Sequence, residues 1–154
     1  MNRSDVGEPQ RPPEAHRPRV LIADDHAFVR DSLVEFLQDR FDVVAAVADG
    51  HDLVEAAGRL HPDVIVTDIS MPGLNGIEAM GRLRAAGAEA RVIFLTLHDD
   101  ADLADRLIRA GASGFVLKFD VTTELPTAIE CVVRGETFVT RGLGPPTAVA
   151  RPDQ

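Results

Sequence analysis

The stretch Val64-Ile65-Val66-Thr67-Asp68-Ile69-Ser70-Met71-Pro72-Gly73-Leu74-Asn75-Gly76-Ile77-Glu78 reads as a strand, a loop and a helix start in succession. Val64 to Thr67 is a run of apolar and β-branched residues, the composition of a strand covered on both faces. Met71, Pro72 and Gly73 shape a loop. Asn75 and Glu78 stand three apart, the spacing of a capping box that opens a helix. One carboxylate, Asp68, falls where the strand gives way to the loop.

The same alternation extends in both directions. Val20–Ala23, Val43–Val47, Val92–Thr96 and Gly114–Leu117 are further short apolar runs with β-branched members. Between them lie segments with apolar residues at helical spacing: Phe28, Leu33, Phe36 and Leu37, then Leu53, Val54, Ala57 and Leu60, and later Leu103, Leu107 and Ile108. Gly87 and Gly111 are expected as C-terminal helix stops. Thr122 or Thr123 is expected to cap the fifth helix, with Pro126 in its first turn. Five β-α units in series predict an α/β fold, a doubly wound parallel sheet with helices on both faces and right-handed crossovers.

Composition narrows the function classes. The chain has 154 residues, 16 Lys+Arg and 25 Asp+Glu, a formal charge of -9, which argues against a free-standing nucleic-acid binder. With 45% hydrophobic and 27% charged residues it can bury a core. One cysteine, Cys131, supplies neither an internal disulfide nor a Cys-cluster metal site. No apolar run is long enough to span a membrane, and the first residues lack the apolar core of a secretory signal, so a cytoplasmic location is expected. Seven of the ten prolines fall in the flanks, at positions 9, 12, 13, 18, 145, 146 and 152. Arg3, Arg11 and Arg17 balance Asp5, Glu8 and Glu14, and Arg141 and Arg151 balance Glu136 and Asp153, so the whole charge of -9 lies in residues 19–135. The expected organisation is a disordered tail over 1–17, one folded domain over 18–136, and a linker-like, disordered tail over 137–154.

In an open parallel sheet, ligands bind beyond the carboxyl ends of the strands. Reading off those ends gives Asp24 and Asp25 after the first strand, Asp68 after the third, Thr96 at the fourth and Lys118 at the fifth. Carboxylates about 5 Å apart repel by roughly 3 kcal/mol at an effective dielectric of about 20. A cluster of three therefore calls for a cation, and a hard, oxygen-rich site suits Mg²⁺, which keeps waters and accepts phosphate as a further ligand. Lys118 can neutralise a phosphoryl oxygen and Thr96 can donate to another. The set suits a carboxylate that accepts a phosphoryl group. Singly, each residue has a blander role as a cap, a β-former or a surface charge. Their joint occurrence at four strand ends favours a site.

Four segments carry a family resemblance: Leu21-Ile22-Ala23-Asp24-Asp25-His26, Asp68-Ile69-Ser70-Met71-Pro72-Gly73-Leu74-Asn75-Gly76, Leu95-Thr96-Leu97-His98, and Gly111-Ala112-Ser113-Gly114-Phe115-Val116-Leu117-Lys118. In order and spacing they resemble the receiver domain of two-component response regulators, over about residues 19–135. Asp24-Asp25-His26, Leu97-His98-Asp99 and Gly135-Glu136 are most similar to the NarL/FixJ-type subgroup. The resemblance implies a flavodoxin-like sheet of strand order 2-1-3-4-5 with five helices. It implies that Asp68 is the phosphoacceptor, charged by a sensor histidine kinase. It also implies that Asp24, Asp25, Asp68 and the Ser70 carbonyl hold Mg²⁺, and that Lys118 pairs with the phosphoryl group. Thr96 would move toward that group and Phe115 would swing inward behind it, while Ser70 and His98 would tune phosphate lifetime. Output would pass through the face of the fourth helix, fifth strand and fifth helix to a protein partner or a second copy.

Two departures from the family pattern stand out. Phe119 follows Lys118 where the family often has proline, so an ordinary trans peptide is expected there. Leu97 is bulkier than the usual small residue after the threonine and is expected to restrict access. A NarL/FixJ-type regulator also continues into a helix-turn-helix domain, whereas here the chain runs into Gly142-Leu143-Gly144-Pro145-Pro146. The expected function is thus a phosphoacceptor switch that acts through protein contacts, without binding nucleic acid or membrane and without enzymatic activity beyond its own Asp68. The rivals are the receiver part of a truncated DNA-binding regulator and, weakly, a Mg²⁺-dependent phosphohydrolase. Such hydrolases place a second aspartate two residues after the nucleophile, and here that position is Ser70.

Overall fold

The structure, a computed structural model, describes residues 17–140. Six parallel strands form one sheet: β1 (Arg19–Ala23), β2 (Asp42–Val47), β3 (Val64–Asp68), β4 (Arg91–Thr96), β5 (Gly114–Leu117) and β6 (Phe138–Val139), in the order β2-β1-β3-β4-β5-β6. Five helices connect them: α1 (Ala27–Leu37), α2 (Gly50–Leu60), α3 (Gly76–Ala85), α4 (Ala101–Arg109) and α5 (Val121–Val133). The order 2-1-3-4-5 and the five helices are those expected, with a sixth strand added. A one-turn 3₁₀ helix, Lys118–Asp120, joins β5 to α5.

The continuous apolar runs are two interleaved faces, because side chains alternate along a strand. Leu21, Ile65, Val92, Phe94 and Phe115 point to the face covered by α2, α3 and α4, where they meet Leu53, Met80, Leu83 and Leu107. Val20, Ile22, Val64, Val66, Ile93, Leu95 and Val116 point to the other, where α1 and α5 supply Leu33, Leu37, Leu125, Ile129 and Val132. Fully burying each such side chain is worth about 1.5–3 kcal/mol. The ladder aligns Ala23 with Thr67, Asp68 with Leu95 and Thr96 with Leu117, so the strand ends lie along one edge.

Local signals fix the helix ends. The Asn75–Glu78 capping box forms in both directions. Gly87 and Gly111 have positive φ after α3 and α4, as stops. Three expectations need correction. Helix α5 begins at Val121 with Asp120 at its N-cap. Neither Thr122 nor Thr123 caps it, because the 3₁₀ turn starts the coil earlier, and Pro126 lies in the second turn. Phe28 is 82% exposed rather than part of the core face of α1, whose buried positions are Leu33 and Leu37. The domain also runs past residue 136. Phe138 N–H donates to the Ser113 carbonyl and Thr140 N–H to that of Phe115, which docks β6 on β5. The expected tail at 1–17 lies outside the described residues except for Arg17, and so does 141–154. Among the described residues no helix is long and apolar enough to cross a membrane.

Candidate functional site

Asp24, Asp25 and Asp68 meet at the carboxyl edge of the sheet because β1 and β3 are neighbours. Asp24 is wholly buried. Its N–H donates to Val47 O of β2, and its Oδ1 accepts from the His26 N–H at 2.9 Å. Asp68 is buried as well, with the Ser70 N–H 3.4 Å from its Oδ1. Its carbonyl accepts from the Thr67 hydroxyl. The start of α3 presses close behind it: a Cβ at Gly76 would run into the Asp68 carbonyl oxygen, so only glycine fits there.

Lys118 arrives from the end of β5 and bridges the two carboxylates. Its Nζ donates to Asp24 Oδ2 and to Asp68 Oδ2, both at 3.1 Å. The peptide after it is trans, as expected. Burial pushes the Asp68 carboxyl above its ordinary value, Lys118 offsets part of that, and the charge of Asp24 adds to it. Burial alone would lower the Lys118 ammonium. The hydrogen bond to Asp24 and the charges of Asp68 and Asp24 outweigh it and hold Lys118 above its ordinary value.

The oxygens of Asp24, Asp25 and Asp68 and a ring nitrogen of His26 lie within 4.8 Å of one another. Asp25 Oδ1 is buried with no hydrogen-bond partner, and His26 Nδ1, 3.3 Å away, lacks the alignment of a hydrogen bond. A buried carboxylate oxygen without a donor, in a group of three carboxylates served by one ammonium, fits a hard divalent cation.

The other expected residues sit around this centre. Thr96 is buried at the end of β4, one residue past the partner of Asp68, and its Oγ1 accepts from the His98 N–H at 3.1 Å. His98 and Ser70 are exposed on the loops after β4 and β3. Leu97, 57% exposed, faces solvent. Phe115 is wholly buried beside Phe94, so an inward swing has no outward starting position in this conformation. Two residues of the site had no role in the sequence reading, which named His26 only as part of the resemblance. His26 follows the acidic pair directly, and its place beside two acids was the available signal. Arg30, one helical turn on, donates from Nη1 to the Asp24 carbonyl at 2.9 Å and braces the loop.

Comparison with known proteins agrees with the geometry. Residues 20–130 match the family described as the response regulator receiver domain. The chain is 36% identical over 124 residues to the oxygen regulatory protein NreC of Staphylococcus haemolyticus, covering 79% of this chain and 57% of that protein. It is 37% identical over 123 residues to a nitrate/nitrite response regulator protein homolog of Haemophilus influenzae, covering 79% and 59%. The chain thus spans less than two thirds of these relatives. A LuxR-family two-component response regulator from Aurantimonas superposes with a TM-score of 0.78 at 31% identity, over 82% of this chain and 92% of that one. The signal receiver domain of the NarL regulator of Mycobacterium tuberculosis gives 0.73 at 30%, over 77% and 98%. A signalling fold, an acidic pocket at its carboxyl edge and a match through the whole of that fold lead to one assignment: the chain belongs to the response regulator receiver family, as a phosphoacceptor signalling domain of the NarL/NreC type.

Proposed function

We propose that Asp68 takes a phosphoryl group from the phosphohistidine of a sensor histidine kinase, and that the resulting charge is read by a protein partner. The observation that carries this reading is the Lys118 bridge: one ammonium holds the two buried carboxylates of Asp24 and Asp68 together at 3.1 Å. A carboxylate oxygen of Asp68 attacks phosphorus as the P–N bond breaks toward the protonated imidazole. That ring leaves neutral and Asp68 becomes an acyl phosphate. Asp24, Asp25, Asp68 and the Ser70 carbonyl would hold Mg²⁺, which supplies charge neutralisation to the phosphoryl oxygens. Lys118 exchanges its bond to Asp68 for one to the phosphoryl group, and the Thr96 hydroxyl donates to another oxygen. Water entering from the side of Ser70 and His98 reverses the modification, and these two residues set its lifetime.

The switch is energetically adequate. The phosphoryl group adds about -1.5 to -2 charge. Moving a two-state equilibrium from 1:99 to 99:1 takes about 5.5 kcal/mol, and a hydrogen bond to a charged group is worth about 1.5–3 kcal/mol. Two such bonds, from Lys118 and Thr96, reach that scale only at the upper end of the range, so further contacts to the phosphoryl group share in the switch. The output face is α4, β5 and α5, toward an effector protein or a second copy.

Incubation with Mg²⁺ and acetyl phosphate, followed by intact mass measurement, tests the assignment. One acid-labile phosphoryl adduct is expected on the wild type and none on Asp68→Ala. An adduct that survives Asp68→Ala, or no adduct from either acetyl phosphate or a kinase, overturns it. The greater length of the relatives favours a second reading, in which the output is a further domain that follows the receiver. One solved relative, RcsB of Salmonella typhimurium, is described in terms of DNA interaction. A reading frame that continues past Gln154 would favour this second reading.

A further inference from the structure

His26 occupies a position that its residue type does not serve. It is the N-cap of α1, with extended backbone, and its side chain makes no cap bond. Asp, Asn, Ser or Thr there would accept from a free N–H of the first turn, and histidine forgoes that. Its backbone is pinned at the pocket all the same. The His26 N–H donates to Asp24 Oδ1 at 2.9 Å, and its carbonyl accepts from the Arg30 N–H at 2.9 Å. The ring turns back toward the acids: Nδ1 lies 3.4 Å from Asp24 Oδ1 and 3.3 Å from Asp25 Oδ1. Asp25 Oδ1 nevertheless has no hydrogen-bond partner. Adjacent ligands of an octahedral ion with bonds of about 2.1 Å stand about 3.0 Å apart, with their lone pairs directed at the ion rather than at each other. Close approach without alignment is what that relation looks like.

We infer that His26 Nδ1 is a nitrogen ligand of the cation in this pocket, so that the pocket favours a first-row transition ion such as Co²⁺ or Zn²⁺ over Mg²⁺. The inference rests on the cation-binding part of the reading above. Nδ1 belongs with one oxygen each from Asp24, Asp25 and Asp68 to a group of atoms within 4.8 Å of one another. Imidazole suits transition ions, whereas Mg²⁺ keeps to oxygen. A neutral ring adds no negative charge to the three carboxylates, so it moves selectivity through ligand softness alone. The side chain is 68% exposed, so Nε2 keeps its proton in water and the ring closes on an ion without disturbing the core. Arg30, whose guanidinium holds the Asp24 carbonyl, steadies the loop that carries the ring.

Calorimetric titration of the full chain with Co²⁺ and with Mg²⁺, without phosphodonor, reads the preference. His26→Ala is expected to lower the ratio of Co²⁺ to Mg²⁺ affinity about tenfold. His26→Asn, a strong N-cap that keeps α1 and offers oxygen in place of nitrogen, should lower it as well. Proton NMR of the Co²⁺-loaded wild type should show an imidazole proton shifted far outside the ordinary range, and both variants should lose it. A ratio that stays within about twofold of wild type in both variants, or no shifted imidazole signal in the wild type, overturns His26 as a ligand and leaves the three carboxylates as the cation site. Wild type that binds neither ion overturns the cation site as well, while the acetyl phosphate adduct reports on Asp68 separately.

Discussion

The two ends of the sheet are built from the same strands and do opposite things. At the amino end, the last turns of α2 and α3 and the start of β4 border a half-open groove of about 740 Å³, lined by Ala57, Pro62, Leu83 and Ala90 among others. The polar groups there close the fold. The Arg19 N–H donates to Asp63 at 2.8 Å, and its guanidinium serves the Leu60 and His61 carbonyls. Arg84 does the same for Ala88, Ala90 and Gly111. At the carboxyl end, two carboxylates share one lysine, and a buried oxygen of a third, Asp25, has no donor. The difference follows from parallel β-α order. Every helix ends at the amino edge, where cations satisfy free carbonyls, and begins at the carboxyl edge, where free N–H groups favour anions. Volume marks the first edge and unbalanced charge the second, and the chemistry goes with the charge.

The comparison can be broken at three points. Lys118→Ala removes the ammonium from two buried carboxylates, and breaking a buried pair costs about 3 kcal/mol or more. Urea unfolding in Mg²⁺-free buffer is expected to show a loss of that size, with added Mg²⁺ restoring more stability to the variant than to the wild type. A loss under about 1 kcal/mol would mean that the pocket does not concentrate charge.

The next effect is on pH. Because burial raises the Asp68 carboxyl, the folded chain keeps a proton there that the unfolded chain has already lost above its ordinary value of 3.8. Without metal, Asp68 therefore makes folding less favourable as pH climbs from 3.8 through the raised value. Proton and cation compete for the same oxygens, so Mg²⁺ affinity should fall by up to about tenfold per pH unit below that value. Calorimetric Mg²⁺ titrations at several pH values check this, and a pH-independent affinity would exclude Asp68 as a ligand.

The smallest effect belongs to the amino edge. Arg19→Ala frees two carbonyls and should cost about 1 kcal/mol, with the rate of adduct formation from acetyl phosphate unchanged. A slower rate would show that the two edges are coupled.

Much of this was legible in the sequence, for identifiable reasons. Strands buried on both faces read as unbroken apolar runs, so β1, β3, β4 and β5 fall within a residue of expectation. The Asn75–Glu78 box and the glycine stops are local and came through unchanged. Asp24, Asp25, Asp68, Thr96 and Lys118 were visible because each follows or ends such a strand. What failed was less local. Strand β6 has two residues, too few to show a period, and is held by backbone bonds to Ser113 and Phe115. Phe28 fits the helical spacing, yet α1 turns it to solvent. Thr122 and Thr123 are good caps by composition, but the coil had already begun at Lys118.

The sequence alone thus determined the order of the elements, the sheet edge that carries the carboxylates and the residue types gathered there. Those depend on periodicity and on neighbours a few positions apart. Only the tertiary structure decided that Lys118 spans Asp24 and Asp68, that Asp25 keeps an oxygen without a donor, and that Thr140 stands between Asp120 and Glu124. Lys118 is 94 residues from Asp24 and 50 from Asp68 along the chain. No local pattern sets such distances; they are fixed by strand order, register and the packing of helices on both faces.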